Sequence, residues 1–189
     1  MSRVYIVHRW EGTPDSDWYV WLKRFLEARG FSVKILKMPH TKIPTVRSWT
    51  RYLQKNADFS KDAFFVGHSV GRQTILRSLE QIEQKVGGVL LIAPWLTLKN
   101  LDIISKIIAL PWLTRDIDFA KIKHLSARRV CVFSDNDRVV PLDNRQLFAE
   151  KFGAKTLIVK NKGHFTSDDG VNDMEFMKKD LEIFFGGEK

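Results

Sequence analysis

Short apolar runs alternate with amphipathic stretches along most of this chain. Val4–Val7 reads as a buried strand, and Trp18, Trp21, Leu22, Phe25 and Leu26 then recur at helical spacing. Gly30 stops that helix, Phe31–Leu36 gives a second strand, and a helix is expected from Thr45 to Asn56. The third strand, Ala63–Val66, is apolar throughout, as a strand covered on both faces should be. Ile75, Leu76, Leu79 and Ile82 mark the next helix, and Val89–Ala93 and Val130–Phe133 read as strands four and five. A helix over Leu142–Phe152, a sixth strand over Thr156–Val159 and a helix over Met174–Phe185 complete the pattern. Alternation of this kind predicts parallel strands joined by right-handed crossovers, an α/β three-layer sandwich.

One stretch breaks the rhythm. No strand pattern appears between Pro94 and Arg128; Ile103, Ile104, Ile107 and Ile108 mark a short apolar helix face, followed by Pro111 and Trp112. An excursion that long between strands reads as a short helical cap, about residues 96–128, over a site. No repeat, low-complexity tract or Pro/Ser-rich linker divides the 189 residues, so one domain over 1–189 is expected.

Composition alters this picture mainly through charge. The chain holds 31 Lys and Arg against 22 Asp and Glu, a formal +9, which first suggests an anionic partner. Residues 1–61 alone hold 12 basic against 5 acidic residues, so the excess lies on the first two strand–helix units, largely on expected polar faces. The second strand should be a sheet edge, where lysines discourage pairing with another molecule. Zinc spacing, a helix-turn-helix and the aromatic-basic strands of single-strand binders are all missing, so no specific nucleic-acid partner is expected. The single cysteine, Cys131, lies in the run Val130–Phe133, which suits a buried thiol in a reducing compartment. The apolar run before His8 is too short for a signal-peptide core or a membrane span, so a soluble, cytoplasmic protein with no membrane partner is expected. No His, Asp or Glu pairs have metal-ligand spacing, and Asp168-Asp169 reads as a solvated turn.

Candidate chemistry begins where the third strand ends, at Gly67-His68-Ser69-Val70-Gly71, with a helix following at once. A turn tight enough to present Ser69 needs neighbours without bulky side chains, which Gly67 and Gly71 supply. The helix starting at Val70 also aims backbone N–H groups at the serine's position. A nucleophilic serine needs a base, and the base an acid to orient it, in the chain order Ser, Asp/Glu, His and past the carboxyl ends of strands. Strand five runs into Ser134-Asp135-Asn136-Asp137-Arg138-Val139-Val140-Pro141, and strand six into Asn161-Lys162-Gly163-His164-Phe165. Asp137 is preferred as the acid because the apolar return after it would hold its carboxylate at the sheet edge. Asp135, a natural turn former, remains a candidate. Among the histidines, His68 sits inside the turn, His8 ends strand one and shapes the loop there, His40 lies in a loop and His124 in the cap. His164 alone follows the last strand.

Together, Val7-His8, Gly67–Gly71, Asp137-x-x-Val140-Pro141 and Gly163-His164-Phe165 resemble the α/β-hydrolase superfamily. Asp17–Leu22 with Met38-Pro39, and Gly71 running into Thr74–Glu80, are similar to the small serine hydrolases named after retinoblastoma-binding protein 9. The resemblance spans nearly the whole chain and is weakest from Leu96 to Arg128. It implies a minimal α/β-hydrolase fold with strand order 2-1-3-4-5-6, Ser69 as nucleophile, Asp137 as acid, His164 as base, a small acyl substrate, and no metal or organic cofactor. Where the family has glycines after strand one, this chain reads His8-Arg9-Trp10-Glu11-Gly12. The oxyanion hole is expected from Val70 and this loop, at Arg9 or Trp10. Arg9 has three readings: a changed hole that leaves a catalytically weak binding protein, a clamp on a substrate carboxylate or phosphate, or a solvent-facing side chain. Trp10, Trp18, Trp95 and Trp112 are candidates for an apolar acyl pocket, with core packing preferred for Trp18 and Trp21 by their helical spacing. The retinoblastoma-binding pattern Leu-x-Cys-x-Glu is absent, since Cys131 has Arg129 and Phe133 at those places.

Overall fold

The computed structural model describes residues 1–186. Its six strands are β1 (Arg3–Val7), β2 (Ser32–Leu36), β3 (Ala63–His68), β4 (Val86–Ile92), β5 (Ser126–Ser134) and β6 (Lys155–Val159). They form one parallel sheet in the order β2-β1-β3-β4-β5-β6, the expected topology. Helices α1 (Tyr19–Glu27), α2 (Val46–Asn56), α3 (Val70–Leu79), α6 (Asn144–Phe152) and α7 (Lys178–Gly186) flank it, and α4 (Ile103–Leu113) and α5 (Phe119–Ile122) build the cap between β4 and β5. The central strand β3 is buried at every position, which is why its sequence shows no alternation. Strand β2 is an edge, and its Lys34 ammonium lies along the flank, donating to the Asn56 carbonyl. Cys131 is wholly buried in β5, between β4 and β6, and burial pushes its thiol pKa well up.

Two strands start earlier than their apolar runs. Strand β4 begins at Val86 and includes Gly87-Gly88, which are poor strand formers. A Cβ on Gly88 would lie 2.9 Å from ring atoms of both Phe64 and Phe184, so glycine makes room for two aromatic rings. Strand β5 begins at Ser126 and carries Arg128 and Arg129. Their guanidinium groups reach off the sheet, Arg128 to the Phe184 and Phe185 carbonyls of α7 and Arg129 to the carbonyls of Gly153 and Lys123. The chain therefore re-enters the sheet two residues before the expected end of the cap. The closing helix also starts late, as a 3₁₀ turn at Glu175–Met177 before α7.

The cap differs from its pattern in orientation. Ile103, Ile104 and Ile107 are mostly exposed, and α4 instead buries Ala109 and Trp112. Buried polar side chains hold the cap down. Asn144 accepts from the Leu96 and Thr97 N–H groups through Oδ1 and donates through Nδ2 to the Thr97 and Pro141 carbonyls. Arg77 of α3 donates to the carbonyls of Trp112 and Asp116, covering the carboxyl end of α4. These two anchors fix where Trp95 and Trp112 stand.

Candidate active site

Ser69 joins β3 to α3 with φ 52° and ψ −116°, a left-handed backbone that a non-glycine residue adopts only where its surroundings enforce it. Its N–H extends the sheet by donating to the Ile92 carbonyl. The flanking glycines are required by contact. A Cβ on Gly67 would lie 2.8 Å from the Arg72 backbone, and one on Gly71 would lie 2.2 Å from the Val7 carbonyl oxygen.

The loops after β5 and β6 bring two further side chains to this turn. His164 Nε2 lies 2.9 Å from Ser69 Oγ, and His164 Nδ1 lies 2.8 Å from Asp137 Oδ2. The Asp137 carboxylate also accepts from the Val139 and Val140 N–H groups. Burial pushes its pKa up, but the hydrogen bond and charge of His164 and these two N–H donors outweigh burial and hold it below the ordinary value. Asp135 is exposed and serves the turn instead, accepting from the Asn161 N–H. The His164 loop is tightly folded, with φ positive at Asn161, Gly163 and Phe165. Asp169 pins it: its carboxylate accepts from the His164 N–H and the Thr166 hydroxyl, so the expected solvated turn, exposed as expected, also serves as a brace.

Behind the turn, a chain of buried polar groups connects the loop after β1 to the His164 loop. The His164 carbonyl can only accept, so His68 Nε2 donates to it at 2.8 Å. His68 Nδ1 is then the acceptor, and Tyr19 Oη–H donates to it at 2.7 Å while accepting from the Arg9 N–H at 3.1 Å. Burial, then the charge of His164, lowers the His68 pKa to about 3, which keeps the ring neutral as this chain requires. His8 is likewise buried and its pKa lowered by desolvation; Nε2 accepts from the Met38 N–H, so Nδ1–H donates to the Arg9 carbonyl. His40 and His124 are exposed.

These contacts correct the expectation for Arg9. Its N–H is committed to Tyr19, so it offers no oxyanion donor, and its guanidinium is engaged by Asp17 (Nε to Oδ2, 2.8 Å) and by the Trp10 carbonyl. It is neither solvent-facing nor a free clamp for a substrate anion. The N–H groups of Trp10 and Val70 have no hydrogen-bond partner among the described residues. Asp17 and Tyr19, on the sequence segment that carries the family resemblance, hold the Arg9 loop through contacts that spacing alone did not reveal.

Asp17 also accepts from the Ser167 N–H and hydroxyl, which ties the Arg9 loop to the His164 loop. Burial pushes its pKa up, but the Arg9 hydrogen bond and the Ser167 N–H bring the net value below the ordinary one. A carboxylate depressed in the folded state stabilises it above the unfolded pKa, and that contribution is lost as pH falls through the folded value. Asp17→Asn should therefore cost about 2–4 kcal/mol near neutral pH. Urea unfolding should show the difference at pH 7 and a narrowing gap as the pH falls below about 4.

A cavity of about 450 Å³ opens beside Ser69 and His164. Trp10, Trp95 and Trp112 all line it, with Leu98, Leu101, Ile104 and Ile108 of the cap. Trp10 Nε1 donates to the Lys42 carbonyl and Trp112 Nε1 to the Pro44 carbonyl, which orients both rings. Trp18 is buried in the core, with Nε1 donating to the Phe165 carbonyl, and Trp21 stacks on Phe25. A cavity of similar size, about 460 Å³, lies between β5, β6 and α7, but no serine, cysteine or histidine lines it. Among the described residues no three His, Cys, Asp or Glu side chains cluster as a metal site, and no helix is long and apolar enough to cross a membrane.

A six-stranded parallel sheet with a strained serine at the β3–α3 turn defines an α/β hydrolase. The Serine hydrolase family model matches residues 4–182, and the chain belongs to that family: it is a serine hydrolase. It is 28% identical over 194 residues to the YdeN protein of Bacillus subtilis (strain 168), covering 99% of this chain and 98% of that one. The solved ydeN gene product of B. subtilis superposes with a TM-score of 0.88 at 26% identity, covering 98% of this chain and all of that one. The fold is shared with Est1E from Butyrivibrio proteoclasticus, solved with ferulic acid bound, at a TM-score of 0.73 and 16% identity over 97% of this chain and 88% of that one.

Proposed function

We propose that this hydrolase cleaves a small ester, thioester or amide through an acyl-enzyme, with Ser69, His164 and Asp137 as its working residues. The observation that carries the reading is the unbroken hydrogen-bonded line from Asp137 Oδ2 through His164 to Ser69 Oγ, at a strained turn facing a cavity. In the proposed cycle His164 Nε2 takes the Ser69 proton as Oγ attacks the acyl carbon, and Asp137 holds the ring with Nδ1–H toward itself. The Val70 and Trp10 N–H groups receive the oxyanion. His164 then protonates the leaving group, and water deprotonated by His164 releases the acid and restores Ser69. The cap residues that line the cavity suit an apolar acyl group.

The test is reaction of the purified protein with a fluorophosphonate probe, followed by mass spectrometry of the modified peptide, together with turnover of p-nitrophenyl acetate and butyrate. Modification confined to Ser69 and turnover above background are expected. A folded protein that neither labels nor turns over these esters would sink the reading and favour a binding protein built on the same fold.

A further inference from the structure

We propose that Trp95 is a catalytic residue, its indole N–H donating a second hydrogen bond to the nucleophile. The inference rests on Ser69 being that nucleophile. Trp95 Nε1 lies 3.3 Å from Ser69 Oγ, while the same oxygen lies 2.9 Å from His164 Nε2. The two contacts are compatible, because a hydroxyl donates once and accepts through its lone pairs: Ser69 O–H donates to His164, and the indole donates to Ser69.

The indole is held for this task. Its ring is 3% exposed, and the backbone on either side is fixed, with the Trp95 carbonyl accepting from Gln73 Nε2 and the Leu96 N–H bound to Asn144. Against one face of the ring, 4.9 Å from its centroid, sits the guanidinium of Arg72, which also packs 5.1 Å from the Phe148 centroid. Arg72 is wholly buried, and among the described residues none of its three guanidinium nitrogens has a hydrogen-bond partner. Burial presses its pKa down, but an arginine starts so high that it keeps its charge at neutral pH. A cation against an aromatic face is attracted by the π density. It draws that density toward itself and leaves the indole N–H more positive, a better donor.

The donor acts at two moments. As His164 removes the proton from Ser69, negative charge gathers on Oγ before the new C–O bond is complete, and the N–H stabilises it. In the acyl-enzyme Oγ is an ester oxygen, a poor acceptor, so the bond weakens. It strengthens again when the C–Oγ bond breaks and Oγ departs as the leaving group, to be reprotonated by His164. The interaction is thus stronger in the first transition state than with the resting hydroxyl, and stronger in the second than in the acyl-enzyme, which is the condition for raising kcat.

The decisive variant is Trp95→3-benzothienylalanine, introduced at that position alone, which keeps the fused ring and replaces N–H with sulfur. Trp95→Phe is made alongside it. The readouts are the rate of fluorophosphonate reaction at Ser69 and kcat and KM for p-nitrophenyl butyrate, with the melting temperature as a check on the fold. The benzothienyl protein should melt with the wild type, hold KM within about twofold, and lose about tenfold in kcat and in the Ser69 reaction rate. Unchanged rates in that variant, beside a wild type that reacts at Ser69, would overturn this role and leave the hydrolase mechanism standing. A wild type that does not react at Ser69 would overturn both. A purely packing role for Trp95 predicts a loss in Trp95→Phe but none in the benzothienyl protein, which also counts against the proposal.

Discussion

Ser69→Ala and His164→Ala should each lower kcat for a p-nitrophenyl ester by about 10⁴–10⁶-fold, and the double variant should be no worse than either alone. The reason lies in the connected geometry. In the proposed cycle Ser69 Oγ is a weak nucleophile until His164 removes its proton, and His164 has nothing to deprotonate for attack once the hydroxyl is gone. Removing one partner therefore removes the function of both, whereas independent contributions would multiply. Asp137→Asn should cost less, about 10³–10⁴-fold, because it disturbs the tautomer and orientation of His164 while leaving base and nucleophile in place. Pre-steady-state measurements on the four proteins would settle the point. Losses that multiplied in the double variant would mean that Ser69 and His164 act separately, contrary to the proposed cycle.

Gly71→Ala should be strongly destabilising, costing about 4 kcal/mol or more and preventing folding at ambient temperature if the margin is small. Its Cβ would sit 2.2 Å from the Val7 carbonyl oxygen and 2.7 Å from that of His8, and neither backbone atom can rotate away. Relief demands that α3 lift from the end of β1, which would also move the loop carrying the Trp10 N–H. Gly170→Ala is the control, since its Cβ would meet nothing within 4 Å and only the positive φ of 76° resists it, worth about 1 kcal/mol. Urea denaturation of both variants would compare them, and equal midpoints would refute the contact argument.

Most of the sheet could be read from the chain because its inner strands β1, β3 and β4 are largely buried on both faces and announce themselves as continuous apolar runs. The exceptions have physical causes. Gly87-Gly88 and Arg128-Arg129 look unlike strand, yet the glycines accommodate Phe64 and Phe184, and the arginines bury their stems while their charged ends find carbonyls elsewhere. The site was legible to the extent that chain order and strand ends dictate it, which brought Ser69, Asp137 and His164 into one expectation. What spacing could not supply were polar contacts across large sequence separations. Asp17 meets Ser167 150 residues away, and His68 meets the His164 carbonyl 96 residues away. Arg9 was left open between three readings for a different reason, since its partner Asp17 is close in sequence but no spacing signals the pairing. The cap was the least legible part because Ile103 and Ile107 are exposed while Ile104 and Ile108 line the cavity, so its periodicity reported a face without saying which side it covers.

The lone thiol offers something that none of this chemistry uses. Cys131 is sealed in an interior strand with neighbours on both sides, and the chain has no other cysteine. A thiol reagent can reach it only when the sheet parts, so the pace of its alkylation clocks the opening of the fold. Paired with a fluorophosphonate probe at the Ser69 turn, it turns one sample into two simultaneous assays. One side chain answers for the cavity and the other for the integrity of the whole, and a variant that silences the first without quickening the second has lost chemistry alone.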